Sequence, residues 1–361
     1  GNVYITGKFK GIGVDFDPDP LHDPHSPTSK LTSKNNPRGD AFLAKYDKDG
    51  VYLWVQQFGS ATIRDTNIGN SVAINTELDS SGEPVDYVYV TGQFTGGVWD
   101  EDIDSSDVTV AGVNDNVDFS VDFGTLGGAD CVLAEIPLPG HKNRFNGDVF
   151  LAKYNTAGEC MWAQNFGSHH KDAGRDIAFD PTGPYVYLTG TFKKVVDFDP
   201  AGKPRNGAEE FYSCLGPTEF VGPYEAGATG VAGTPVYLAK LEACRRLFGI
   251  DLANDSIANG DLYDNGNILK ANNDSGTTNS DVFLAKYATE DGAYQWVQAV
   301  VGTNNELVNG VAVDSEGYVY IAGKFESPDV TFSGGTSVSL EKSGIQGDGF
   351  LAKHDKDDVP Q

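Results

Sequence analysis

The sequence predicts an all-β protein assembled from repeated four-stranded antiparallel units. Three observations carry that prediction: a composition rich in turn formers, four short apolar motifs that return along the chain, and a constant spacing between two of them. The 361 residues include 44 Gly and 17 Pro against a single Met, with 39% apolar and 22% charged side chains. That balance excludes a long-helix protein and fits many short strands joined by turns. No apolar run approaches the roughly 20 residues of a membrane-spanning helix, so membrane insertion is not expected. With 26 basic and 52 acidic side chains the net charge is −26, which repels a phosphate backbone and argues against a nucleic-acid partner. The same charge suits divalent cations.

The four motifs define four strands. Strand a is the segment Ser71 to Asn75 (SVAIN), Asp176 to Asp180 (DIAFD) and Gly310 to Asp314 (GVAVD). Strand b is Val3 to Phe9 (VYITGKF), repeated from Val88, Val186 and Val319. Strand c is Phe42 to Tyr46 (FLAKY), repeated from Phe150, Tyr237, Phe283 and Phe350. Strand d is Leu53 to Gln56 (LWVQ), repeated from Met161 and Gln295. Each is short, rich in Val, Ile, Tyr, Phe and Trp, and bounded by turn residues. From the strand-c Leu to the strand-d Trp the offset is 11 residues in two copies and 12 in the third, as a fixed hairpin requires. Its turns, Asp47 to Gly50, Asn155 to Gly158 and Glu290 to Gly292, carry the Asp, Asn and Gly that accept left-handed backbone.

Laid along the chain, the quartets predict a single β-propeller domain of about five blades: 1–60, 71–167, 176–252, a degenerate fourth at 256–300, and an incomplete fifth at 310–361. An isolated quartet cannot bury both faces, whereas radial stacking buries each against the next. Insertions fall mainly between strands b and c, at Pro18 to Gly39, Asp100 to Gly147, Asp199 to Pro235 and Ser327 to Gly347. Loops of that kind are where a rigid repeat scaffold carries its binding sites. The frame is open, since blade 1 lacks a strand a and blade 5 a strand d. Either a longer polypeptide supplies them, as a numbering that begins at Gly1 inside a strand-like run leads one to expect, or a neighbouring subunit does so by strand addition.

GNVYITGKF, VDFDP and GDAFLAKYDKDG with the Trp that follows resemble the bacterial β-propeller repeat of secreted and cell-surface proteins, a relative of the NHL-type repeat. The resemblance covers nearly the whole chain. It implies an extracellular or cell-surface adhesive or scaffolding role and no particular chemistry. The fourth blade, the stretch Asp100 to Gly147, and Thr234-Pro235 in place of Gly-Asp before a strand c depart from its pattern.

The most specific polar constellation follows strand b: Val14-Asp15-Phe16-Asp17-Pro18, repeated as Val196-Asp197-Phe198-Asp199-Pro200, with Asp100, Asp102 and Asp104 taken as the counterpart in blade 2. Alternate carboxylates on an extended segment share a side, and with backbone carbonyls they suit the oxygen shell of Ca2+. The competing reading makes each Asp a turn cap. Lys45, Lys153, Lys240, Lys286 and Lys353 recur in strand c and are expected to lie on a neighbouring blade and pair with a carboxylate. Trp54, Trp162 and Trp296 share one repeat position and read as blade-interface residues, whereas Trp99 lies in an insertion and is the candidate partner contact. His22, His25 and His169-His170 have no third ligand at a fixed spacing. Two readings stand for the cysteines: disulfides Cys131–Cys160 and Cys214–Cys244, or four buried small apolar residues.

No nucleophile, zinc-protease or phosphate-loop motif occurs. The expected function is a non-catalytic extracellular scaffold with protein partners or self-assembly, stiffened by Ca2+. The alternative is a carbohydrate-binding or carbohydrate-cleaving propeller that uses Trp99 and the acids from Asp100 to Asp107.

Overall fold

The computed structural model describes residues 1–19, 29–33, 39–58, 67–79, 81–95, 120–123, 131–134, 147–168, 170–193, 195–199, 262–263, 268–271, 279–333 and 338–355. All regular structure among them is β, and every strand pair is antiparallel. Four sheets are built from the motif strands. Sheet 1 has the order Val3–Phe9, Asp40–Tyr46, Tyr52–Phe58, that is b, c, d. Sheet 2 has all four: a at Ile68–Leu78, b at Pro84–Phe94, c at Asp148–Asn155 and d at Cys160–Phe166.

Sheet 3 changes the expected blade boundaries. Its strands a and b are Ala173–Phe179 and Tyr185–Phe192, and b pairs with Asp281–Ala288, from Tyr185 opposite Ala288 to Phe192 opposite Asp281. Strand d follows at Tyr294–Gly302. The c and d strands expected in a fourth blade at 256–300 therefore complete the third quartet, across a much longer insertion. The alternative strand c at Tyr237 lies outside the described residues; in sequence it follows Thr234-Pro235, and Pro supplies no ladder N–H. Ile268–Lys270, within the expected fourth blade, pairs with Val195–Asp197 in a small separate sheet. Sheet 4 is Glu306–Val313, Val319–Phe325 and Asp348–His354, so the described residues hold four quartet-type sheets where five were expected.

The repeated residues explain the repeated geometry. Thr6, Thr91 and Thr189 in strand b donate their hydroxyls to the carbonyls of Phe42, Phe150 and Phe283 in strand c, at 2.7, 2.6 and 2.7 Å. The Gly that follows each Thr lies under the ring of that same Phe. In sheets 2, 3 and 4, strand a carries a β-bulge opposite this point. The bulge turns a strand-a carbonyl onto Gly92, Gly190 and Gly323, where a Cβ would strike the oxygen of Ile68, Ala173 and Leu307.

The sheets are stacked in chain order, and each core lies between two sheets. Sheet 1 contributes Leu43 and Phe58 to a cluster with Val88, Val90 and Phe150 of sheet 2. Leu151 and Phe166 of sheet 2 pack with Val186, Leu188 and Phe283 of sheet 3. Leu284 and Trp296 of sheet 3 pack with Val319, Ile321 and Phe350 of sheet 4. Strand a of sheet 2 lies against strand a of sheet 3, which lies against strand a of sheet 4.

Gly190→Ala should lower unfolding free energy by about 2 kcal/mol, because the new methyl meets a backbone oxygen and the Phe283 ring. Gly349→Ala, whose Cβ meets nothing closer than 3.7 Å, should change it by less than about 0.5 kcal/mol. Urea titration followed by Trp fluorescence measures both.

Candidate functional site

Two of the segments expected to bind calcium, 14–18 and 195–199, begin with short strands in small antiparallel ladders beside the motif sheets. Val14–Asp15 pairs with Lys30–Leu31, and the Phe16 ring packs at a tilt on Phe42 with ring centroids 4.8 Å apart. The Tyr46 hydroxyl donates to the Phe16 carbonyl at 2.7 Å. Tyr154 and Tyr287 donate in the same way to Phe123 and Phe198, at 2.7 and 2.9 Å. The counterpart in the second unit is therefore Val121-Asp122-Phe123 and not the stretch that holds Asp100, Asp102 and Asp104. A V-D-F triplet at 121–123 was the signal for it. Phe123 stacks on Phe58 of sheet 1, and Phe198 packs on Phe166 of sheet 2, so each hairpin caps strand d of the preceding sheet.

In the first hairpin, Asp15 accepts the Ser29 hydroxyl at 2.8 Å and the Asp17 amide at 3.1 Å, and Lys30 lies 3.7 Å from its other oxygen. Asp17 accepts the Asp19 amide at 3.0 Å. Both carboxylates shape turns. The backbone of Asp197 ends the short strand Val195–Asp197, and Asp199 follows it. Trp99, Asp100, Asp102 and Asp104 lie outside the described residues, as do His22, His25, Lys240, Cys214 and Cys244. Among the described residues, no group of three or more His, Cys, Asp or Glu is placed to hold a metal. Cys131 and Cys160 form a disulfide, with Cα atoms 6.2 Å apart, that ties the second insertion to strand d of its own sheet.

The strand-c lysines form the most developed polar site, and it sits at the joints. Lys153 is buried; its ammonium meets Glu77 at 2.7 Å and the Thr289 carbonyl, in the c–d turn of the next sheet, at 2.8 Å. Tyr87 lies under it at 4.1 Å, and the Tyr89 hydroxyl reaches both Glu77 and Thr289. Lys45 repeats the contact, donating to the Thr156 carbonyl at 2.6 Å beside the Trp54 indole N–H at 3.2 Å. Burial holds the Lys45 pKa below its usual range. Lys286 lies 3.6 Å from Asp180 and over Tyr185.

Buried acids mark the same joints, a feature the repeat pattern did not announce. Asn67, Asp172 and Glu306 stand where strand a begins, and each accepts a backbone N–H from just beyond strand b: Thr95, Lys193 and Ser327. The Asp172 and Glu306 amides donate to Gly147 and Ser280, next to Asp148 and Asp281 of the preceding sheet. Burial holds the Asp172 pKa well above 3.8, opposed by the Ser168 amide and reinforced by Asp148. Burial also raises that of Glu306, against the pull of its hydrogen bonds with Asp281 and Ser327. Asp176 joins three sheets, accepting from the Ser71 hydroxyl of sheet 2 at 2.8 Å and the Val311 amide of sheet 4 at 2.9 Å.

Lys153→Met should cost about 3 kcal/mol, because it leaves Glu77 charged and poorly solvated, and adding Glu77→Gln should recover most of that loss in a denaturant double-mutant cycle. For Asp172, whose pKa burial raises in the folded state, the folded chain binds a proton more tightly than the unfolded chain, which titrates at about pH 4, so its contribution to stability falls as pH rises. Asp172→Asn should therefore flatten the decline in melting temperature between about pH 4 and 8; parallel profiles would refute this. No family model matches the chain, and no curated protein matches it.

Proposed function

We propose that the chain is a non-catalytic extracellular scaffold, structural or protein-binding, whose sheets are blades of a β-propeller and whose b–c insertions carry its partner contacts. The observation that carries this reading is where the repeated polar residues go. The strand-c Lys and Tyr hold sheets to one another or to the hairpins beside them, while the strand-b Thr ties b to c and the acids at the start of strand a tie a to b within one sheet. A catalytic repeat would leave a reactive group at a concave surface, accessible to substrate.

The face-to-face stacking of four sheets in chain order, with successive strands a adjacent, supports the radial arrangement. The Cys131–Cys160 bond supports an oxidising compartment outside the cell. The acidic balance of the chain supports solubility there without attraction to nucleic acid.

Electron microscopy of the purified protein tests the architecture: the sheets should radiate from one axis, and a slab with no common axis would overturn it. A hydrolysis screen over oligosaccharides tests the absence of catalysis. Release of reducing ends would favour the carbohydrate-cleaving alternative.

A further inference from the structure

We infer that the joints between sheets 2 and 3 and between sheets 3 and 4 are pH-operated latches, each closed by one proton held between two buried carboxyl groups of adjoining sheets. This rests on the scaffold reading above and deepens it by naming a signal that governs the b–c insertions. In each pair one acid opens strand c of a sheet, and the other stands where strand a of the next sheet begins. The pairs are Asp148 with Asp172 and Asp281 with Glu306, and all four residues are at most 1% exposed.

The backbone brings the members of each pair together. The Asp172 amide donates to the Gly147 carbonyl at 2.9 Å and the Glu306 amide to the Ser280 carbonyl at 2.8 Å, so each second acid is bonded to the residue that precedes the first. Gly302 lies against both members of the later pair: its amide donates to Asp281 at 3.1 Å, and a Cβ there would meet the Glu306 carboxyl carbon at 2.9 Å. Asp281 and Glu306 share a side-chain hydrogen bond, and two carboxyl groups form one only when one of them carries a proton. The Asp148 charge acts on Asp172 in the same sense, making the second ionisation of that pair costly.

The other charged groups do not replace the proton. Lys193, at the end of strand b, faces Asp172 with Lys171 beside it, and His170 belongs to the turn that Ser168 and Asp172 hold. Lys193 brings one positive charge to two carboxylates, and burial holds its own pKa down. Beside Glu306 the charged neighbour is a third acid, Glu326, whose carboxylate is taken by Lys324 at 2.8 Å and whose carbonyl accepts from Lys342 at 2.7 Å. The first joint is a built-in control. Asp40 opens strand c of sheet 1 as Asp148 and Asp281 open theirs, but Asn67 takes the place of the second acid, accepting the Thr95 amide as Asp172 and Glu306 accept those of Lys193 and Ser327. A carboxamide has no proton to lose. Lys193 and Ser327 stand where strand b gives way to its insertion, and Asp148 and Asp281 where an insertion ends. Loss of the shared proton as pH rises leaves two carboxylates buried together and loosens the joint at the base of the insertions.

Hydrogen exchange followed by mass spectrometry, as protection factors corrected for the intrinsic effect of pH, tests this between about pH 5 and 9 without added metal. Peptides from 173–179 and 306–313 should lose protection at least about tenfold as pH rises, and peptides from 68–78 should keep theirs. Asp172→Asn and Glu306→Gln should each abolish the loss at their own joint alone, and Asn67→Asp should install it at 68–78. Protection that is flat with pH, equal loss in all three strands, a loss that survives the amide variants, or a first joint unmoved by Asn67→Asp would each overturn the proposal. So would recovery of protection on adding Ca2+ at the alkaline end, which would make a cation and not a proton the partner of the acids. A flat profile would leave the scaffold reading standing, since that reading fails instead on the hydrolysis screen or the micrographs.

Discussion

A four-stranded antiparallel sheet has two apolar faces and no means of covering both. Everything distinctive about this molecule follows from meeting that requirement by stacking. The buried clusters lie between sheets and not within a central core, so each sheet is stable only in the company of its neighbours. Dispersion and apolar burial supply the attraction, and both are indifferent to register. Register comes from the polar contacts. A lysine that reaches one turn carbonyl, a tyrosine that reaches one hairpin carbonyl, and an aspartate that bridges three sheets each admit a single offset.

These contacts also account for the chemistry of the site residues. A buried lysine is tolerated because a glutamate, a carbonyl and an aromatic face surround it. Buried Asp172 is tolerated because backbone amides and the Ser168 hydroxyl bind it, while burial pushes its pKa up. Similar side chains in an open cleft would be candidates for acid-base work. Here they sit among carbonyls and rings with packing on every side, which is why perturbed ionisation at these positions belongs to architecture.

The strand types and the c–d hairpins were legible in the sequence because they depend on neighbours within about a dozen residues, and the tryptophans at the sheet interfaces were legible because they recur at one repeat position. Partnership across the insertions was not. Strand b at 185–192 pairs across a long insertion with strand c at 281–288, and a rival motif at 237–241 stands closer in sequence. Loop closure costs only logarithmically more with length, so proximity along the chain was a poor guide. The hairpin role of Val121-Asp122-Phe123 was hidden by the acids at 100–104, which match the alternation of VDFDP but have no Phe to place on strand c. Buried Asp172 and Glu306 left no trace at all, since Asn67, Asp and Glu share a position without sharing a motif.

The Cys131–Cys160 bond has a consequence for how the second insertion can change. Cys131 is fixed to Cys160 at the start of strand d, and strand b ends at Phe94. Residues added or deleted between these two fixed points alter closure entropy by about tenths of a kilocalorie per mole. The molecule can therefore try new sequences there at little thermodynamic risk, which is the freedom that diversification of a recognition surface demands.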